Sequence, residues 1–170
     1  MSHELLILRH AKSDWDAGVG DFKRPLAKRG NRDAPRVGEW LYREGLVPDL
    51  VISSPAQRAR QTTEKVCKSM DYKKKKIQWN DGVYAADAPK LLRLLRRCPP
   101  EARTVLLVGH NPGLEDLVRY LAGDEVDEQR DGKLLPTATL ARLEIPADWN
   151  ALAAGCAQLI AITRPRNLVD

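Results

Sequence analysis

A three-layer α/β fold with a mostly parallel central sheet and one antiparallel strand is the architecture this sequence predicts. Three observations lead to it. Short, continuous apolar runs at Glu4–Leu8, Asp49–Ser53 and Thr104–Val108 have the character of strands buried on both faces. Segments with helical periodicity alternate with them, which is the pattern of a parallel sheet covered by helices on both sides. Two late segments, Ala138–Ile145 and Ala157–Thr163, alternate partly between apolar and polar residues and read as neighbouring antiparallel strands.

In chain order, Glu4–Leu8 is the first strand. Ser13–Gly30 contains Gly18, Gly20 and Pro25 and reads as a long loop, a length often tied to function. Asn31–Glu44 is a helix with Val37, Trp40 and Leu41 on one face; it accommodates Pro35 only in its first turn, and Gly45 ends it. Asp49–Ser53 is the second strand. Ser54 is the expected N-cap and Pro55 the first helical residue of the segment running to Met70. Ile77–Trp79 is a short third strand. Ala88–Arg97 is a helix with leucines at 91, 92, 94 and 95, stopped by Pro99 and Pro100. Thr104–Val108 runs into "GHNPG", followed by a helix over Leu114–Leu121. Pro146–Gly155 connects the last two strands.

The 170 residues suit one domain spanning 1–170. No apolar run approaches the roughly 20 residues that span a bilayer, and the N-terminus has no charged region followed by a cleavable apolar stretch. Cys67, Cys98 and Cys156 are scattered without metal-ligand or CxxC spacing, which fits structural thiols in a reducing cytoplasm. The net charge of +5 favours anionic partners, but no nucleic-acid motif accompanies it. Lys73–Lys76 is either a solvated loop or a docking patch for an acidic protein.

Three predicted strands end in polar clusters. The first gives Arg9 and His10. The second gives Ser53, Ser54 and, a turn into the next helix, Arg58. The third gives His110 and Asn111. A parallel sheet brings such tips to one edge, where ligands of α/β proteins bind. Two histidines, two arginines and two helix N-termini describe a site for a phosphoryl group: guanidinium forks match phosphate oxygens, helix N-termini add N–H groups, and a neutral imidazole is a nucleophile. Nearby arginines help keep His10 neutral. With cations supplied by the chain itself, the reading calls for no metal and no cofactor.

The sequence resembles the histidine phosphatase superfamily, of phosphoglycerate mutase-like fold, and within it the SixA-type phosphohistidine phosphatases. The resemblance rests on "LRHAKSDW", "RPLAKRG" (Arg24–Gly30), "SSPAQRARQT" (Ser53–Thr62), "LLVGHNPGLEDLVRYL" (Leu106–Leu121) and "LPTATLARLEI" (Leu135–Ile145), in the expected order over most of the chain. It implies that His10 is the catalytic nucleophile, carrying a phosphohistidine intermediate, and that Arg9, Arg58 and His110 hold the phosphoryl oxygens. Arg24 is either an additional phosphate contact or a loop-anchoring salt bridge. Lys12 either touches substrate or faces solvent, and Asn111 either shapes the pocket or initiates its turn. The chain departs from the wider family at Ala11, where a glycine usually follows Arg-His, at Lys12, where Glu or Gln is common, and at Asp16, where larger members often have asparagine.

Many superfamily members use a carboxylate as general acid after the third strand. In "QWNDGVYAAD" the candidate is Asp81, with Asp87 next. A phosphoramidate such as phosphohistidine makes less demand on an acid. The short chain, with no room for a cap, also suits a phosphorylated protein as partner. The expected function is therefore a protein phosphohistidine phosphatase, a cytoplasmic monomer with no nucleic-acid or membrane partner. The alternatives are a small-molecule phosphomonoesterase of the same superfamily and a non-catalytic phosphoprotein-binding module.

Overall fold

The run from Leu5 to Leu8 is fully buried and feeds two cores at once. Leu5 and Ile7 pack on one side of the sheet with Leu91, Leu95, Leu114 and Leu117. Leu6 and Leu8 pack on the other with Val37, Leu41 and Val66. This is why the strand shows no polar alternation; each such side chain contributes about 1.5–3 kcal/mol by leaving water. The computed structural model describes residues 2–123, 134–146 and 148–168. Among these residues the elements are β1 (His3–Arg9), α1 (Lys28–Arg43), β2 (Leu50–Ser53), α2 (Gln57–Ser69), β3 (Gln78–Trp79), α3 (Ala88–Leu95), β4 (Thr104–Gly109), α4 (Gly113–Ala122), β5 (Leu140–Ile145) and β6 (Gln158–Thr163), with 3₁₀ turns between several of them.

The sheet order is β3-β2-β4-β1-β5-β6. The pairs β3/β2, β2/β4 and β4/β1 are parallel, while β5 runs against both β1 and β6. One strand is thus reversed, as expected, and helices cover both faces: α1 and α2 on one, α3 and α4 on the other. The register sets Arg9 opposite Gly109 and Ser53 opposite Val108, so the C-terminal tips of β2, β4 and β1 lie side by side. Cys67 and Cys98 are buried, and burial pushes their thiols up, to about 12 and about 11. Among the described residues no helix is long and apolar enough to cross a membrane.

Several local expectations are corrected. Ser13–Gly30 is not one loop: Ser13 bridges Leu26, Asp21–Lys23 form a 3₁₀ turn, and α1 already begins at Lys28. Gly30 is a packing residue inside that helix, because a Cβ there would lie 2.2 Å from the Lys12 carbonyl oxygen. Pro35 consequently sits in the helix interior rather than its first turn. Its missing N–H leaves the carbonyl of the exposed Asn31 to water, and burial of Ala34, Val37 and Leu41 outweighs that loss. Helix α2 starts at Gln57 with Ala56 as N-cap, so Ser54 is no helix cap. Helix α3 stops at Leu95 instead of Arg97, and β5 starts at Leu140 because Ala138 turns with φ +56°. In the connection between β5 and β6, Trp149–Ala151 form a 3₁₀ turn, and Ala147 lies outside the described residues. Lys74–Lys76 form another such turn, exposed, with Lys74 paired to Glu64 at 2.7 Å.

Candidate active site

His10 follows β1 directly and is 5% exposed. Its backbone N–H donates to the Gly109 carbonyl at the tip of β4 (3.1 Å). The next peptide is held as well: the Ala11 N–H donates to Thr62 Oγ1 (2.9 Å), whose hydroxyl donates to the Arg58 carbonyl (2.7 Å). One threonine thus ties the loop carrying His10 to the turn of α2 carrying Arg58. His110 follows β4, and the two imidazoles meet with ring centroids 5.2 Å apart.

His10 Nδ1 lies 2.8 Å from the Ala11 carbonyl oxygen. A carbonyl can only accept, so Nδ1 carries the proton and Nε2 keeps its lone pair. Burial pushes the His10 pKa down to about 3, helped by the neighbouring His110, Arg9 and Arg58, although the bond to Ala11 works the other way. Burial and Arg58 likewise lower His110 to about 4, against the pull of Asp21. Both rings are therefore neutral near pH 7. His110 Nε2 pairs with Ser54 Oγ at 2.7 Å; that same oxygen accepts the Ala56 N–H at 3.2 Å. Ser54 therefore pairs with His110 rather than capping a helix.

Arg9 Nη1 donates to the Leu135 carbonyl (3.2 Å). Burial lowers its pKa, offset by Glu115. Arg58 is 5% exposed and donates from Nη1 to the Asp21 carbonyl (2.7 Å) and from Nη2 to Asp21 Oδ2 (3.2 Å). Arg24 is buried and pairs with Asp21 Oδ1 at 2.8 Å and Ser13 Oγ at 3.0 Å, with its guanidinium 3.6 Å from the centroid of the Trp15 ring. Its observed contact is the loop-anchoring ion pair, linked through Asp21 to Arg58. Asn111 Nδ2 donates to the Leu135 carbonyl (2.8 Å), the same oxygen that Arg9 uses, while the Leu135 N–H donates to Glu115 Oε2 (2.8 Å). Lys12 is half-buried and its carbonyl accepts the Ala27 N–H (2.9 Å).

Asp21 and Tyr84 were not singled out from the sequence. Asp21 gathers Arg24, Arg58 and the Tyr84 hydroxyl (2.6 Å), and these bonds, Tyr84 first, hold its carboxyl down at about 2. It is an ionised anchor in the free protein, not a proton donor. Tyr84 stands edge-on to His110, 5.6 Å between ring centroids. The local signal was Asp21 three residues before Arg24, inside a glycine-marked loop. Asp87 and Asp116 line a cleft of about 440 Å³ with His110, Arg58 and Tyr84. Asp81 is exposed in a 3₁₀ turn whose residues Asn80 and Gly82 line a different groove. Gly113 brings α4 against the segment before α3: a Cβ there would lie 2.1 Å from the Ala86 carbonyl oxygen.

Among the described residues, the buried side-chain atoms without a hydrogen-bond partner include Arg9 Nε, Arg58 Nε, His110 Nδ1 and Asn111 Oδ1. Buried polar atoms are rarely left so, and these four belong to residues at the tips of β1 and β4 and the first turn of α2. The molecule is an α/β protein that gathers two histidines and two arginines at the carboxyl edge of its sheet. The chain belongs to the histidine phosphatase superfamily: residues 5–81 match its branch 1, and the matches extend over nearly the full length. An uncharacterised Mycobacterium tuberculosis protein, Rv1276c, is 32% identical over 163 residues, 94% of this chain and 100% of that protein. Among solved structures, one assigned as a phosphohistidine phosphatase, SixA, from Nakamurella multipartitia superposes with a TM-score of 0.83 at 27% identity, covering 97% of both chains. A SixA assigned likewise from Agrobacterium tumefaciens gives 0.75 at 29% identity, covering 96% of this chain and 99% of that one. The phosphoglycerate mutase-like fold expected from the sequence is the one observed.

Proposed function

We propose that the protein is a phosphatase acting on phosphohistidine in other proteins through a covalent intermediate on His10. The observation that carries this reading is the His10 Nδ1 contact to the Ala11 carbonyl at 2.8 Å, in a ring kept neutral by burial. It leaves Nε2 with a lone pair at pH 7, beside His110 and two arginines. His10 Nε2 attacks phosphorus, and the P–N bond of the substrate breaks. The substrate imidazole, protonated on its other nitrogen, leaves neutral, so no strong acid is needed. Arg9, Arg58 and His110 Nδ1 stabilise the charge on the equatorial oxygens. Water then attacks phosphorus on His10; phosphate leaves, His10 returns neutral, and the surplus proton goes to solvent. The guanidinium groups supply the positive charge in each step, and turnover is expected without added metal.

Asp87 and Asp116 in the cleft favour one second reading, a small-molecule phosphomonoesterase, in which a carboxylic acid protonates an alkoxide leaving group. A panel assay on one preparation separates the readings. It compares a histidine-phosphorylated protein, a phosphoserine peptide and sugar phosphates, with and without a chelator. The expected result is a kcat/KM at least about tenfold higher on phosphohistidine, insensitive to the chelator and lowered roughly 10⁴-fold or more by His10→Ala. Preference for sugar phosphates would support the second reading. Full activity in folded His10→Ala would remove the nucleophile.

A further inference from the structure

We propose that the groove beside α3, walled by Lys90, Arg93 and Arg97, docks an acidic face of the phosphohistidine-bearing protein; this rests on the protein-substrate reading above. The three cations are exposed: Lys90 and Arg93 stand about one turn apart on α3, and Arg97 follows just past its C-terminal end, all three lining one groove. None of them has a carboxylate partner among the described residues. Elsewhere on the surface Lys74 pairs with Glu64, Arg119 with Glu115 and Arg142 with Glu4. Arg96, between two members of the row, is differently engaged: its Nε and Nη2 both donate to the Leu152 carbonyl (3.1 and 2.7 Å).

The row borders a groove of about 450 Å³ whose apolar lining includes Leu50, Ile52 and Leu94. Lysine and arginine stems can lie along such a surface while their charged ends meet a partner. The groove and the cleft beside His110 draw lining residues from the same chain segment, 82–90. Gly82 lines the groove and Tyr84, two residues on, lines the cleft; Asp87 lines the cleft and Lys90, one helical turn on, lines the groove. A protein whose phosphohistidine reaches His10 therefore lays its adjoining surface over α3, and carboxylates there would meet an uncompensated cationic row. Charges at the rim of an interface act mainly on encounter and register, and they are weakened by salt.

The test uses the full chain, wild type and a Lys90→Glu, Arg93→Glu, Arg97→Glu variant, on two substrates: an acidic histidine-phosphorylated protein and inorganic phosphoramidate. Docking predicts that the variant raises KM for the protein about tenfold while phosphoramidate turnover stays within about twofold. It also predicts that raising salt reduces wild-type kcat/KM on the protein and hardly affects the variant. An unchanged KM for the protein overturns the docking surface and leaves the phosphatase reading intact. Equal losses on both substrates overturn it too, because the row would then act on the fold or the cleft. Single-stranded DNA binding that only the variant loses, with the protein KM unmoved, would assign the groove to nucleic acid instead. A wild type that hydrolyses phosphoramidate but no phosphohistidine protein sinks the underlying reading, and docking with it.

Discussion

His10 packs against His110 with one nitrogen committed to the Ala11 carbonyl, and its pKa is held near 3 instead of the usual 6.5. His110, the coupled partner, is held near 4. Both shifts are downward, so the neutral, nucleophilic form persists as pH falls through 6.5 and is lost only nearer the folded values. Once substrate ionisation is corrected for, kcat/KM should be flat between about pH 5.5 and 7.5, with its acid limb below about 5. An acid limb at 6.5 would mean that burial and the arginines do not control the pair. At this scale the sequence revealed the residues that stand at strand tips, Arg9, His10 and His110, because their position follows from the strands themselves. Asp21 and Tyr84 were hidden. They lie 63 residues apart and become partners only when the turn at Asp21 folds over Arg58.

The strands were legible because each inner strand is buried on both faces, which forces a continuous apolar run such as Leu5–Leu8 or Val105–Val108. The helix starts were less so. Gly30 looks like a loop residue by local propensity and Pro35 like a first-turn residue, yet α1 starts before both, because the helix must pass within reach of the Lys12 backbone and bury Val37 and Leu41. Gly38 poses the same conflict between propensity and packing. Replacing an interior helical glycine with alanine ordinarily gains up to about 1 kcal/mol. Here the added Cβ would lie 2.3 Å from the Val66 carbonyl oxygen and 2.7 Å from Ser69 Cβ, both on α2. Overpacking of this kind costs about 1–3 kcal/mol, so packing should win. Gly38→Ala is expected to destabilise the protein by about 1–2 kcal/mol in urea melts. A stabilised variant would show that α1 and α2 can separate freely, and that their crossing does not fix Arg58 relative to the loop carrying His10.

For the molecule as a whole, the site gathers Arg9, Arg24 and Arg58 around two histidines, with Asp21 and Glu115 as their counter-charges. Among the described residues Arg9, Arg58 and His110 each keep a buried nitrogen without a hydrogen-bond partner, and Arg58 disfavours the charged form of Arg9. On the proposed reading, a tetrahedral oxyanion would supply the missing acceptors and further negative charge. Orthovanadate is therefore expected to inhibit competitively and also to stabilise the fold. At 100 times its Kd the stabilisation is about 2.7 kcal/mol. For a chain of this size that corresponds to a rise in Tm of roughly 5–10 °C. Arg58→Met, which removes one guanidinium from the pocket, should abolish most of that rise, whereas an equal ionic strength of chloride should not reproduce it. The comparison separates a built pocket from a generally basic surface of net charge +5. If chloride raised Tm as much as vanadate, or the Arg58 variant responded like the wild type, Arg9, Arg58 and His110 would not be acting on one anion.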